Sequence, residues 1–165
     1  MIYKILKDKL FIPFLALLLV LITIWEVLRL KVQNVLLLQN LWLPLLKERE
    51  KRHLSDAFFF LLGIFLAALL VSGAKLEFLI LVLGISDPLA GIIGAQFGRP
   101  FLKFKKSILG AYIFFFSSFL LGIFFLKNSL LSILLLSFFL TVVEFFTERD
   151  NFWIPFCGAI FFRFF

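Results

Sequence analysis

Residues that form crosslinks or bind soft metals are almost absent from this chain. Among 165 residues there is one cysteine, Cys157, so an internal disulfide and a cysteine-based zinc site are both excluded. Charged residues make up 16% of the chain and hydrophobic residues 63%, whereas a soluble domain is roughly 45–50% apolar. A soluble protein of this size cannot bury so much apolar surface, and a disordered chain is excluded as well. The composition indicates an integral membrane protein.

The chain also lacks the short motifs GxxxxGK(S/T), GxSxG, HExxH and CxxC, so the common soluble nucleotide-binding and hydrolase classes are not indicated. Basic residues outnumber acidic ones by 17 to 10. In a soluble domain this excess would suggest nucleic acid. Here the basic residues lie in short breaks between apolar runs, where they set topology or meet phosphates. We therefore expect no nucleic-acid partner.

The apolar runs predict an all-α integral membrane protein, a helical bundle with about seven hydrophobic segments in one domain, residues 1–165. A spanning helix needs roughly 20 residues, and five runs come near that length. These five are 10–28, which we expect to be a retained span rather than a signal peptide, and 54–72, 76–98, 107–126 and 129–146. Two shorter runs, 34–46 and 152–165, fit tilted spans, re-entrant pieces or interfacial helices.

The distribution of basic residues gives two alternative topologies under the positive-inside rule. If all seven runs cross, the amino terminus is cytoplasmic and most basic residues fall on the inner side. If 34–46 does not cross, the amino terminus lies outside and the other loops keep their sides. We prefer seven crossings, with the protein in the cell membrane and its functional face toward the cytoplasm.

Three carboxylates, Glu26, Asp87 and Glu144, lie within or at the ends of apolar runs. A carboxylate at the bilayer centre costs about 3 kcal/mol or more, so such residues face the bundle interior or water, and a functional role is the default hypothesis. For Glu26 a structural ion pair with Arg29, three residues later on the same helix face, is an equal alternative.

The segment Ser86-Asp87-Pro88 predicts a break in the run 76–98. Proline cannot donate a backbone hydrogen bond, and it disfavours helix at the residue before it. Asp87 then fits an N-cap and Pro88 the first position of a new helix. Beyond the break, Gly91, Gly94 and Gly98 follow at helical spacing and leave one face free of bulky side chains; close helix packing is the alternative explanation.

A basic cluster precedes the run 107–126, and Ser107 is a good N-cap for that helix. A helix amino terminus beside Arg99, Lys103, Lys105 and Lys106 predicts a phosphate site. The alternative is an anchor of the positive-inside type.

A polar stripe on the run 129–146 leads through Ser137 and Thr141 to Glu144. Asp150 and Asn151 follow directly. Acidic groups at this position are suited to holding a divalent cation together with the phosphates of a nucleotide, although a plain helix cap explains Asp150 almost as well.

Four blocks of residues together resemble the polyprenol kinase family, which includes dolichol kinase, phytol kinase and CTP-dependent diacylglycerol kinase. The family is distantly similar to phosphatidate cytidylyltransferase. In chain order the blocks are Glu26 to Arg29; Lys47 to Glu50 with Arg49; Ser86 to Gly91 with Gly94, Gly98, Arg99, Lys106 and Ser107; and Glu144 with Asp150 and Asn151.

The resemblance implies transfer of the terminal phosphate of a nucleotide, usually CTP, to the hydroxyl of a membrane lipid such as a polyprenol, phytol or diacylglycerol, with Mg²⁺. Asp87 matches the family's aspartate and Lys106–Ser107 its Lys-Ser pair. We expect Arg99, Lys105 and Lys106 to neutralise phosphate charge with Gly94 and Gly98 nearby, and Asp87 to bind metal or accept a proton. A cytidylyltransferase and a non-catalytic transporter or scaffold are the alternatives.

Overall fold

The computed structural model describes residues 2–31, 53–99 and 106–164. In this part of the chain the backbone forms six helices and no strand. They are α1 (Ile2–Lys31), α2 (Asp56–Leu70), α3 (Ala74–Phe97), α4 (Ile108–Phe125), α5 (Leu130–Phe146) and α6 (Asp150–Phe164). The expected all-helical class is confirmed. The expected number of about seven segments is not, because the structure describes six helices; the short run 34–46 lies outside the described residues.

Three of these helices are long and apolar enough to cross a membrane: α1 over Leu10–Lys31, α3 over Ala74–Phe97, and α4 over Ile108–Phe125. The helices α2 and α5 are apolar but shorter. Large apolar side chains cover the outer surface; Phe124 and Phe97, for example, are 81% and 74% exposed. Such a surface is stable in contact with lipid tails and not with water.

Serine caps set where three of the helices begin. The hydroxyl oxygens of Ser55, Ser107 and Ser129 each accept a hydrogen bond from the backbone N–H three residues later, at the start of α2, α4 and α5. Each bond satisfies one of the backbone donors that a helix start leaves without a helical partner. The N-cap predicted for Ser107 is therefore confirmed, and it fixes the start of α4.

The predicted break in α3 is wrong. The helix continues through a π-helical turn, Val82–Ser86, and the Asp87 N–H donates to the Val82 carbonyl. Ser86 and Asp87 both have right-handed helical backbone angles, so Asp87 is not an N-cap. A proline ring clashes with the carbonyl four residues before it in an α-helix, and the wider π turn directly before Pro88 lets the helix continue.

The bundle is centred on α3. Its residues Phe78, Leu79 and Val82 are fully buried, as are Phe114 of α4 and Leu140 of α5. Lipid offers no hydrophobic driving force between helices, so close van der Waals packing holds such a core together. Because α3 lies at the centre, its π turn contacts both α4 and α6.

The end of α1 and the start of α2 meet at one end of the bundle. Arg29 pairs with the buried Glu26 and also donates to the His53 carbonyl, while the Ser55 N–H donates to Glu26 Oε2. The ion pair expected for Glu26 and Arg29 is thus present. The preferred topology with seven crossings places the end of α1 and the start of α2 on opposite sides of the membrane. These contacts contradict it, because the buried Glu26 carboxylate holds the start of α2 against the end of α1.

Candidate functional site: a cavity with three carboxylates

A cavity of about 340 Å³ lies between α3, α4 and the facing ends of α5 and α6. One part of its wall is charged and consists of Asp87, Lys106, Glu144 and Asp150. The other part is made of glycine and alanine from α3 and α4, with Ser107. A chamber of this size lies at the lower end of the range for small-molecule sites.

The three acidic side chains come from three different helices. Asp87 follows the π turn of α3, Glu144 lies near the end of α5, and Asp150 begins α6. One carboxylate oxygen of each lies within 4.8 Å of the other two. Glu144 is buried and the other two are half-buried. Three carboxylates held this close repel one another, and cations beside them stabilise the arrangement.

Lys106 supplies one such cation. Its ammonium nitrogen lies 2.7 Å from Glu144 Oε1 and 2.8 Å from Asp150 Oδ2, and it also donates to the Glu144 backbone carbonyl. Burial by itself lowers the pKa of Lys106, but the Glu144 and Asp150 carboxylates outweigh that effect and raise the pKa above its ordinary value. The ammonium is therefore charged at neutral pH.

The acidic cluster fits a divalent cation by its ligand chemistry. Hard cations such as Mg²⁺ take oxygen ligands at about 2.1 Å in an octahedron, which places opposite ligands about 4.2 Å apart. The three carboxylate oxygens all lie within 4.8 Å of one another, which is close to this distance. Glu144 lines the cavity, and among the described residues its Oε2 is buried and has no hydrogen-bond partner, so this oxygen lacks a compensating contact.

The small residues in the wall have two different roles. A side-chain carbon added at Gly94 would lie 2.7 Å from Ser107 Oγ and 3.2 Å from Gly110 Cα, and one at Gly98 would overlap Ser107. These two glycines therefore let α3 pack closely on the start of α4. At Gly91 an added carbon would meet nothing within 4 Å. Of the three glycines expected to leave a face open, only Gly91 does.

The cavity extends along α3. Asp87 and Gly98 both line it, although they are separated by eleven residues of helix, or roughly 16 Å at 1.5 Å per residue. Gly91 and Ala95 lie between them in the wall and are exposed. The chamber therefore runs along α3 from the start of α4 to Asp87, where the Glu144 and Asp150 carboxylates also lie.

The predicted site residues fall into three groups. Asp87, Gly94, Gly98, Lys106, Ser107, Glu144 and Asp150 all line the cavity. Arg99 is exposed and is not part of the lining, and the same cavity does not include Glu26, Arg29 or Asn151. Lys105 and Arg49 lie outside the described residues.

Glu144 is the residue whose importance the sequence analysis underestimated. The sequence places it at the end of a polar stripe without a specific partner, whereas in the structure it contacts Lys106 twice and is the most buried of the three acids. The polar stripe that ends at Glu144 is the signal in the sequence. The spacing of that stripe shows that its residues share one helix face, but it does not show that Lys106 is the residue that contacts this face.

Comparisons of the chain with protein-family models, with curated proteins and with solved structures found no match. The fold and the cavity thus define the class: a protein that is helical in its described residues, with three helices long and apolar enough to cross a membrane and a cavity lined by three carboxylates and a lysine.

Proposed function

We propose that the protein is a lipid-alcohol kinase that transfers the terminal phosphate of a nucleotide, with CTP as the favoured donor, to the hydroxyl of a membrane lipid. The observation that carries the proposal is the convergence of Asp87, Glu144, Asp150 and Lys106 on one cavity that reaches into the membrane part of the bundle. Phosphoryl transfer needs positioned charge more than covalent chemistry from the protein.

Mg²⁺ is the cation that suits this reaction, and Asp87, Glu144 and Asp150 would hold it. When bound, it would neutralise charge on the nucleotide phosphates, as metal ions do in other phosphoryl-transfer sites. Among the described residues that line the cavity, three are acidic and one is basic. Such a lining repels a nucleotide, so nucleotide binding depends on the cation.

The N-terminus of α4 offers a place for the phosphates. Its first backbone N–H groups point toward the chain that enters at Ser107, which lines the cavity. Helix starts attract anions through these donors and through the helix dipole. Because Lys106 is committed to Glu144 and Asp150, the further basic residues Arg99 and Lys105 are the candidates for direct contact with phosphate oxygens.

The acceptor reaches the site from the lipid. Gly91 and Ala95 line the cavity and are exposed on the outer surface of α3, so a slender chain can lie there with its hydroxyl near Asp87. In the transfer, the hydroxyl oxygen bonds to the terminal phosphorus and the bond to the nucleoside diphosphate breaks. The hydroxyl proton goes to the Asp87 oxygen that does not hold the cation. Polyprenols and phytol present a primary hydroxyl at the end of one apolar chain, and a 1,2-diacylglycerol presents one on its glycerol.

Three of the four charged groups lie at helix ends, which favours an enzyme over a transporter or scaffold. Transporters tend to place their polar sites near the middle of the membrane between paired repeats. The facing ends of α4, α5 and α6 instead place Lys106, Glu144 and Asp150 at a helix-end face. We assign this face to the cytoplasm, where nucleotides are abundant.

A labelling experiment tests the proposal and separates it from nucleotidyl transfer. Purified protein in lipid nanodiscs receives a lipid alcohol, Mg²⁺ and CTP that is radiolabelled at either the γ- or the α-phosphate. The kinase transfers the γ-label alone, and Asp87→Asn abolishes transfer while Glu148→Gln, at an exposed site outside the cavity lining, does not. Transfer of the α-label to a phosphatidate acceptor would identify a cytidylyltransferase, and unchanged turnover in Asp87→Asn would refute the assignment.

A further inference from the structure

The Lys106 ammonium occupies the place beside the carboxylates that a second cation takes in a two-ion centre. In two-metal sites the ions lie about 3.5–4 Å apart and share carboxylate ligands between them. Here the ammonium is 2.7 Å from Glu144 and 2.8 Å from Asp150, two of the three acids in the cluster. A second metal ion in contact with both of these residues would have to displace it.

The hydrogen bonds of Lys106 are complete. An ammonium has three N–H donors. They are directed to the Glu144 backbone carbonyl, to Glu144 Oε1 and to Asp150 Oδ2. Lys106 thereby ties the start of α4 to the end of α5 and the start of α6. Because all three N–H donors of Lys106 are used by Glu144 and Asp150, this residue positions the two acids and has no donor left for a phosphate oxygen.

The charges favour one divalent ion. Lys106 balances one of the two carboxylates that it contacts, so Glu144 and Asp150 together keep one negative charge, which a single divalent cation already outweighs. Glu144 is only 6% exposed, and in so buried a setting an unbalanced charge is costly. Glu144 Oε2, buried and without a hydrogen-bond partner in the described part of the chain, is the oxygen that the ion would satisfy.

We infer that the centre takes one divalent cation, and that Lys106 is a positioning residue which holds Glu144 and Asp150 in the place of a second ion. The inference rests on the proposed function only in that both need a cation at the three carboxylates. It assigns Lys106 to the acids, whereas the resemblance assigns it to phosphate.

Counting Mn²⁺ ions tests the inference without nucleotide or lipid substrate. The full chain in nanodiscs is titrated with Mn²⁺, and bound ion is measured by electron paramagnetic resonance. We expect one Mn²⁺ per chain in the wild type and in Lys106→Arg, which keeps the charge. Lys106→Ala removes the ammonium and opens its space, so we expect a second Mn²⁺ and a spin-coupled, broadened signal. Lys127→Ala, at an exposed site at the other end of the bundle, serves as the matched control and binds one ion.

Three results would overturn the inference: two ions in the wild type, none in the wild type, or one ion with unchanged affinity in Lys106→Ala. If Lys106→Ala does not fold, the number of Mn²⁺ ions bound by the wild type and by Lys106→Arg still tests the inference, because two ions in either protein would contradict it. A protein that binds one Mn²⁺ and transfers no phosphate would refute the kinase and leave this inference standing. A protein that transfers phosphate and binds two Mn²⁺ ions would support the kinase and refute this inference.

Discussion

At the scale of single residues, Glu144 shows how a charge is kept inside a membrane protein. Its side chain is 6% exposed, and one oxygen is paired with Lys106 while the other has no hydrogen-bond partner among the described residues. A buried carboxylate that keeps an unsatisfied oxygen is costly unless a ligand completes it. The residue is therefore placed for binding as well as for structure.

The variant Glu144→Gln tests this role. The amide keeps an acceptor for Lys106 but removes the negative charge that would hold a cation, so we expect Mn²⁺ affinity to fall by about tenfold or more. Isothermal titration of the protein in nanodiscs measures the change. Glu148→Gln removes an acid of the same type from an exposed position nearby and should leave the affinity unaltered. Equal affinity in Glu144→Gln and the wild type would show that Glu144 is not a ligand.

At the scale of helices, the site depends on how closely α3 approaches α4. Gly94 and Gly98 lie against Ser107, and Gly110 faces Gly94 across the contact. This contact sets the position of Lys106, which immediately precedes Ser107. A change in the spacing of the two helices therefore moves the cation away from its carboxylates.

A pair of alanine substitutions on one helix tests the packing. In Gly94→Ala the added carbon meets Ser107 Oγ and Gly110 Cα, so α4 has to shift, and overpacking of this kind costs about 1–3 kcal/mol. Gly91→Ala adds a carbon into open space and should leave stability within about 0.5 kcal/mol of the wild type or raise it slightly. Thermal unfolding in detergent measures both. A lower midpoint for Gly91→Ala than for Gly94→Ala would contradict the described packing.

The same helix offers a test of acceptor access. Gly91→Leu places a bulky side chain where the cavity wall is open, so we expect a higher KM for the lipid alcohol and unchanged Mn²⁺ stoichiometry. A short water-soluble alcohol is the comparison substrate and should be affected less. Equal effects on both acceptors would argue against entry of the lipid along this face.

The helices themselves were predictable from the sequence. The run 129–146, for example, corresponds to α5 at Leu130–Phe146, and Ser107 caps α4 as expected. The π turn was not predictable, because Pro88 is compatible with a broken helix and with a widened continuous one. The meeting of Asp87, Glu144 and Asp150 was only partly foreseen, since the crossing of three helices determines it and no spacing in the sequence reports that crossing.

At the scale of the whole molecule, the site lies at one end of the bundle and the described basic residues Arg29, Lys31, Arg99 and Arg149 lie at the same end. The connections 32–52 and 100–105 begin and finish at helix ends on this side, and in sequence they carry six more basic residues: Lys47, Arg49, Lys51, Arg52, Lys103 and Lys105. By the positive-inside rule we expect this end to be cytoplasmic. The start of α1 then lies on the opposite side.

Labelling of single cysteines tests this orientation. In a Cys157→Ser background, Lys127→Cys and Arg149→Cys place thiols at exposed positions at opposite ends of the bundle. A membrane-impermeant maleimide applied to sealed right-side-out vesicles should label position 127 directly and position 149 only after permeabilisation. Labelling of both positions from one side would contradict the helix arrangement, and the reverse pattern would place the site outside the cell.

The central claim is that Asp87, Glu144 and Asp150 act as one cation centre through which a nucleotide binds. The most direct measurement is the dissociation constant of a fluorescent CTP analogue with and without Mg²⁺, in the wild type and in Asp87→Asn. The account predicts that removal of Mg²⁺ weakens binding to the wild type by at least about tenfold, and that Asp87→Asn binds weakly under both conditions. Equal affinity in Mg²⁺ and in EDTA, or Mg²⁺-dependent binding that persists in Asp87→Asn, would contradict it.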